Sequence, residues 1–398
     1  MNPRFSERTG WDLRPNRIAV AVGRRRAAGE PILDLTLSNP TRCGLGDDVD
    51  SAVILSALRR DEALTYDPDP KGRLDARRAI AELYAGRGVP VGRDRLVLAA
   101  STSESYAWIF RVLCDPGDAV LAPLPSYPLF DQLARASDVV LARYPLVEED
   151  GFRIDLRALD HAVTAGTRAV LVVSPGNPTG VFLKEDEREA LVELCSRRGL
   201  ALVCDEVFAE FAIPGGRNPA GRAGTLAGED RVLTFVLDGI SKMLALPQMK
   251  LGWIAASGPD EIVHPALDRL EILADTYLSV NTPVQAALPD LLELRERIGE
   301  RIRSRLAANL QVLRDLLAPP HPAHVLPVEG GWSAIVRVPA TRTDEEWALE
   351  LLEAEGVLVH PGFFFDFPSE GRLVVSLLPE ESLFREAATR LARRVEGA

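Results

Sequence analysis

Between about residues 50 and 260, short runs of Val, Leu, Ile and Ala of strand length alternate with segments whose apolar residues recur at helical spacing. Seven runs read as strands: RLVLAA (95–100), DAVLAP (118–123), VVLARY (139–144), RAVLVVS (168–174), LALVCDE (200–206), RVLTFVL (231–237) and LGWIAAS (251–257). Several are apolar on both faces, which a strand buried inside a parallel sheet requires. The segments between them carry helix punctuation. KEDEREALVELCSRRG (184–199) opens on acids and closes on Arg-Arg-Gly, matching the helix dipole and a glycine stop. The pattern predicts an α/β fold, a mainly parallel seven-stranded sheet sandwiched by helices, over residues 46–285.

Beyond residue 260 the texture changes. A long helical stretch covers 291–317, followed by strand GGWSAIVRV, helix DEEWALELLEAEG, strand RLVVSLL and helix ESLFREAATRLARRVEG. This predicts a smaller α+β domain over 286–398, completed by an N-terminal arm over 1–45. The chain shows no repeat, low-complexity tract or long linker.

Composition narrows the partners. The 398 residues suffice for two domains, and 46 basic against 58 acidic side chains leave a net charge of −12. Such a chain repels polyanions, so small molecules are expected as ligands and not nucleic acid or an acidic membrane surface. The four cysteines, Cys43, Cys114, Cys195 and Cys204, have no paired spacing and read as reduced packing residues, with no metal site. The N-terminal stretch lacks the apolar core of a signal peptide, and no apolar run reaches the roughly 18 residues of a membrane span. A soluble, cytoplasmic protein is expected.

Five segments carry candidate chemistry, most of them at the ends of predicted strands. SPGNPTG (174–180) fits a plain Pro/Gly turn, yet it stands where ligands gather in an open α/β sheet, with the Asn177 amide free to donate. In VCDEVF (203–208), Asp205 ends an almost wholly apolar strand, either as a capping acid or as a carboxylate for a cationic ring nitrogen. In DGISKMLALPQMKLGW (238–253), Lys242 sits among Gly, Ile, Met and Leu. A surface lysine would snorkel to water, whereas a desolvated one keeps a neutral amine for Schiff-base chemistry. AASTSESYAWIF (99–110) turns from strand to helix through small hydroxyl residues, an ordinary cap or a seat for phosphate. APLPSYPLF (122–130) offers Tyr127 as a core aromatic or as a plate for a flat cofactor. A phosphate loop, an aromatic, an Asn, an Asp and a Lys in this order are the parts needed to hold pyridoxal phosphate, the lysine bonding its aldehyde and the aspartate its ring nitrogen.

With these residues in this order, nearly the whole chain resembles the fold-type I pyridoxal-phosphate enzymes, specifically the class I/II aminotransferases related to aspartate aminotransferase. The resemblance implies Lys242 as the Schiff-base lysine and proton shuttle, Asp205 as partner of the pyridine nitrogen, Asn177 as donor to the phenolic oxygen and Tyr127 as the stacking ring. It implies Ser103 and Glu104 in the phosphate loop, with Ser241 and Lys250 completing the phosphate site. LTYDPDPKGRLDARRAIAELY (64–84) is similar to the family stretch whose tyrosine reaches the neighbouring subunit, which implies a homodimer with Tyr66 donated across the interface. LTLSNPT (35–41) looks like the segment whose backbone meets the substrate carboxylate, with Ser38 in the usual glycine position.

Departures from the family pattern fall at named positions. Lys250 replaces an arginine and keeps charge without the bidentate fork. Phe208 replaces a tyrosine, so one hydrogen bond to the phenolic oxygen is missing. Val374 stands where the substrate-carboxylate arginine is usual. Arg372, two residues earlier, points to the same face roughly 6–7 Å along; it either reaches the substrate from a shifted register or faces solvent at the sheet edge.

The resemblance implies transfer of an amino group from an amino acid to a 2-oxo acid by a ping-pong cycle. Other chemistry on the same cofactor (lyase, decarboxylase or oxidase-like) and a non-enzymatic cofactor-sensing regulator are alternatives. The second is disfavoured by the acidic charge and by the short segment, about 45 residues, ahead of the main domain. No G-x-G-x-x-G follows the first strand, against a nicotinamide dehydrogenase.

Overall fold

The computed structural model describes residues 4–46, 48–213 and 221–397. Beyond a short strand β1 (Leu33–Asp34), the chain forms β2 (Leu96–Ala99), β3 (Ala119–Leu124), β4 (Val140–Val147), β5 (Arg153–Ile154), β6 (Thr167–Val173), β7 (Ala201–Asp205), β8 (Thr234–Gly239) and β9 (Gly252–Ser257). The last eight make one sheet in the order β2-β9-β8-β7-β6-β3-β4-β5. The run β8-β7-β6-β3-β4 is parallel, while β9 is antiparallel to both its neighbours and β5 is antiparallel to β4. All seven expected strands are present. The eighth, β5, has two residues, too short to leave a period in the sequence.

Every residue of β7, β8 and β9 is buried, as their unbroken apolar runs require. One face of the sheet packs Tyr106, Trp108 and Phe110 together with Leu267 and Leu270. The other packs Ile80, Leu191 and Leu288. The helix Glu185–Arg198 ends on Gly199 at φ 67°, the left-handed stop that its sequence signals.

The helix expected over 291–317 is two helices, Thr282–Glu293 and Arg295–Leu316. At Leu294 the N–H bonds the carbonyl of Leu291, three residues back instead of four, and Arg295 then reaches Glu210 at 2.9 Å. A second sheet joins β10 (His324–Val325), β11 (Ser333–Arg337), β14 (Arg372–Ser376) and β13 (His360–Pro361) in that order, all antiparallel. β12 (Val357–Leu358) pairs in parallel with β1. Of the arm expected over 1–45, residues 4–45 are described. Arg17 pairs with Glu345, and the Leu35 carbonyl accepts from Ser376, so this part of the arm lies with β12 and β14. Residues 7–9 lie instead beside the large sheet, where Arg135 donates to the Glu7 carbonyl and Arg8 pairs with Asp138.

Where the two sheets meet, Gly180 (φ 67°) offers its carbonyl to the N–H groups of Glu329 and Gly330, and Gly331 donates to the Phe211 carbonyl. A side chain on Gly180 would place Cβ 2.7 Å from the Gly330 oxygen, so only glycine fits. Beside this seam Lys184 and Glu329 form a buried ion pair at 2.6 and 2.7 Å. Together these contacts fix the entry to β11, and with it the position of Trp332.

Candidate active site

The parallel strands bring their carboxyl ends to one edge. Successive connections leave β3 toward β4 on one side and return through β6 on the other, the arrangement that opens a ligand crevice in a sheet of this kind. Tyr127 follows β3, Asn177 follows β6, Asp205 ends β7 and Lys242 follows β8. The antiparallel β9 begins at the same edge, just after Lys250, and β2 ends there at the segment Ser101–Glu104.

Lys242 lies in the one-turn helix Ile240–Met243, anchored by the buried side chains of Ile240, Met243 and Leu244. Its Nζ is 5.0 Å from the centre of the Trp332 ring and 5.6 Å from that of Phe208. Desolvation pulls its pKa below the ordinary lysine value, and the charge of Asp205 opposes that shift only in part. Asp205 is buried. One carboxylate oxygen accepts from the Tyr106 hydroxyl at 2.8 Å and the other from the Val207 N–H at 3.1 Å. Burial pushes the Asp205 pKa up, while these two hydrogen bonds and the Lys242 charge pull against it. Tyr127 meets Phe130 edge-on at 5.7 Å, and Phe130 in turn meets Tyr106 at 5.2 Å, so three rings back the Asp205 carboxylate. Asn177 is half-buried in a loop closed by the Gly176 N–H on the Val181 carbonyl.

Ser101 caps the helix Thr102–Leu113, its hydroxyl accepting from the Glu104 N–H at 3.2 Å. The Glu104 carboxylate turns back to accept from the Ala100 N–H and the Ser279 hydroxyl, both at 2.6 Å. In this structure the Glu104 N–H, one of the donors expected of the phosphate loop, is held by the cap. Thr102 and Ser103 carry the N–H groups without partners among the described residues. Gly252 leaves room here, since a Cβ on it would lie 3.5 Å from the Thr102 nitrogen and 3.1 Å from the Asp238 carbonyl. Ser241 is half-buried, and Lys250 is exposed at a left-handed φ of 57°. Tyr66 is 79 % exposed, and the exposed Ser38 hydroxyl donates to the Thr36 carbonyl. Among the described residues, no hydrogen bond or ring contact ties Tyr66 or Ser38 to Lys242, Asp205 or Asn177.

Arg372 takes neither of its expected places. It is buried, with Nε and Nη2 on the Glu148 carboxylate at 2.9–3.1 Å and Nη1 on the Ser369 and Glu370 carbonyls. The neighbouring Arg337 shares the same carboxylate at 3.2 Å. Strand alternation put Arg372 on the correct face, but a partner 224 residues away in sequence has claimed it. Val374 is itself covered by Phe152, Val181 and Phe365.

Two neighbours of the site escaped the reading of the sequence. Tyr106 interrupts the apolar face of its helix with a hydroxyl, a signal visible beside Ile109 and Phe110. Trp332 follows Gly330 and Gly331 at a strand entry, and nothing local distinguishes it from a core tryptophan.

A buried carboxylate, a desolvated lysine, an amide-bearing loop and a helix N-terminus with free N–H groups beside a cradle kept open by Gly252 match the ring, aldehyde and phosphate of pyridoxal phosphate. Residues 44–391 match the model of the family "Aminotransferase class I and II", so the chain belongs to that family, whose members depend on pyridoxal phosphate. It is 26% identical over 373 residues to the glutamate-pyruvate aminotransferase AlaA of Haemophilus influenzae, covering 92% of this chain and 91% of that one. It is 28% identical to the alanine aminotransferase of Mycobacterium bovis, over 90% and 84% of the two chains. The alanine aminotransferase from Pyrococcus furiosus has the same fold, with a TM-score of 0.89 at 21% identity over 99% of this chain and 100% of that one.

Proposed function

We propose that this enzyme transfers an amino group from an amino acid to a 2-oxo acid by a ping-pong cycle, with Lys242 as the lysine that bonds the cofactor and moves the proton at the substrate Cα. When bound, pyridoxal phosphate supplies an aldehyde that condenses with amines and a ring that takes up electron density. The observation that carries this reading is the desolvated Lys242 amine beside the Asp205 carboxylate held by Tyr106. Asp205 would hold the ring nitrogen, Asn177 the phenolic oxygen and Tyr127 the ring face. Thr102, Ser103, Ser241 and Lys250 would hold the phosphate. Phe208 supplies no hydroxyl, so its ring excludes water beside Nζ.

The relatives named for alanine and glutamate-pyruvate transfer make alanine and glutamate the first donors to try. The exposure of Tyr66 and of Leu64, at 91 %, supports a homodimer in which Tyr66 serves the neighbouring subunit. Four free cysteines, three of them buried, suit the cytoplasm. No helix among the described residues is long and apolar enough to cross a membrane.

The commitment of Arg372 to Glu148 favours a second reading, elimination or decarboxylation on the same cofactor. Single-turnover absorbance separates the two. A donor from a broad amino-acid panel should convert the bound cofactor to its amine form, and failure of every donor would rule out transamination. Borohydride reduction with peptide mapping should label Lys242; label on Lys250 or Lys184 would overturn the assignment.

A further inference from the structure

Behind β7, on the side away from Asp205, a cleft of about 540 Å³ opens where the helix Arg295–Leu316 meets the large sheet. Glu206 follows Asp205 and points the opposite way by strand alternation, into this cleft. Two of the arginines on its wall are matched. Arg87 and Arg295 both donate to Glu210, at 2.6 and 2.9 Å, and Arg87 also reaches Asp238 at 3.3 Å.

Two groups are unmatched. Glu206 is 3 % exposed. Its Oε1 accepts from the Leu226 N–H, whereas Oε2 makes no hydrogen bond of normal geometry although the Thr225 hydroxyl and the Cys204 thiol lie close. Arg222 is exposed, with its guanidinium carbon 3.4 Å from the centre of the Phe182 ring, and among the described residues its side chain makes one hydrogen bond, to the Ala209 carbonyl at 3.2 Å. Among the described residues no carboxylate is within ion-pair distance of it. Desolvation pushes the Glu206 pKa up and the Arg222 pKa down, and the neighbouring charges, Arg87 on Glu206 and Glu206 on Arg222, oppose those shifts only in part.

We infer that this cleft binds a small free α-amino acid, with the ligand carboxylate on Arg222 and its ammonium on Glu206. A simple anion would satisfy Arg222 but set its charge against Glu206, and a simple amine would leave Arg222 without a carboxylate. A zwitterion answers both, through charge-assisted hydrogen bonds at each end. Ala209, Ala212, Ala223 and Gly224 leave space for a short side chain. The Ala209 carbonyl that accepts from Arg222 belongs to the residue after Phe208, whose ring stands 5.6 Å from Lys242 Nζ.

The test is titration calorimetry of the holoenzyme after borohydride reduction, when no turnover contributes heat, using L-alanine, propionate and ethylamine as probes. L-alanine should bind at least about tenfold more tightly than either half-molecule. Arg222→Met and Glu206→Gln should each weaken it by about tenfold or more. Equal affinity for propionate would reduce the cleft to an anion site, and unchanged binding in folded Arg222→Met, or no binding to the unaltered chain, would overturn the inference. If Glu206→Gln does not fold, the Arg222 variant decides. Arg222-dependent binding in a protein that transaminates no amino acid would discard the proposed reaction and leave this site standing.

Discussion

The strand-end edge of the large sheet and the inner face of the small sheet both hold ionisable side chains away from water, and they treat them in opposite ways. On the small-sheet face and the seam beside it, the buried cations Arg372 and Lys184 are matched, Arg372 by Glu148 and Lys184 by Glu329. At the edge, Lys242 has no carboxylate within ion-pair distance among the described residues, and the Asp205 oxygens are taken by Tyr106 and Val207. A matched charge pair holds two parts of a fold in register. An unmatched, desolvated amine with a perturbed pKa is a reagent.

The largest effect should come from Lys242→Ala. Losing a general base alone costs about 10²–10⁴-fold, and the single-turnover rate with an amino donor should fall by at least that while the melting temperature holds. Survival of the rate would erase the contrast between edge and face. Next, Arg372→Met should lower unfolding free energy by about 3 kcal/mol, because it strands the Glu148 charge against Arg337 alone. Its KM for the amino donor should stay unchanged. A rise in KM without loss of stability would show Arg372 gripping substrate after all.

A third test uses pH. Desolvation raises the pKa of the buried Asp238 to about 7, above its unfolded value near 4. Over that interval the folded chain binds more protons than the unfolded one, so this residue makes stability fall as pH rises from about 4 to about 7. Asp238→Asn removes that slope. The urea midpoint of the unaltered protein should therefore decline relative to the variant across this window, and parallel curves would show that Asp238 is ionised throughout. The smallest effect is expected from Tyr106→Phe, which removes one hydrogen bond from a carboxylate worth about 1.5–3 kcal/mol. Cofactor retention during dialysis, followed by absorbance, should weaken by about tenfold or somewhat more. Unchanged retention would show that the Val207 N–H alone holds Asp205.

Most of the residues at the candidate catalytic edge were legible along the chain. Asp205 and Lys242 announce themselves because each follows an apolar strand that leaves a polar group no local reason to be there, and Asn177 because Pro and Gly punctuate its loop. The segment proposed to hold phosphate was legible in position but not in detail. The strand-to-helix turn was visible, whereas the capture of the Glu104 N–H by the cap and of its carboxylate by Ser279 required the folded turn and an interhelix connection 175 residues away.

The sequence by itself determined the alternation of strands and helices, the edge at which the polar strand-end residues gather and the setting of Lys242 among apolar neighbours there. These follow from backbone periodicity and from desolvation by neighbours in the chain. Tertiary structure alone decided which charges are spent and which are free. Tyr106 meets Asp205 across 99 residues and Glu148 meets Arg372 across 224, while Arg222 meets a ring and, among the described residues, no acid within ion-pair distance. The physical reason is that a charge acts over a few ångströms of space, and only packing decides which distant segments share that space.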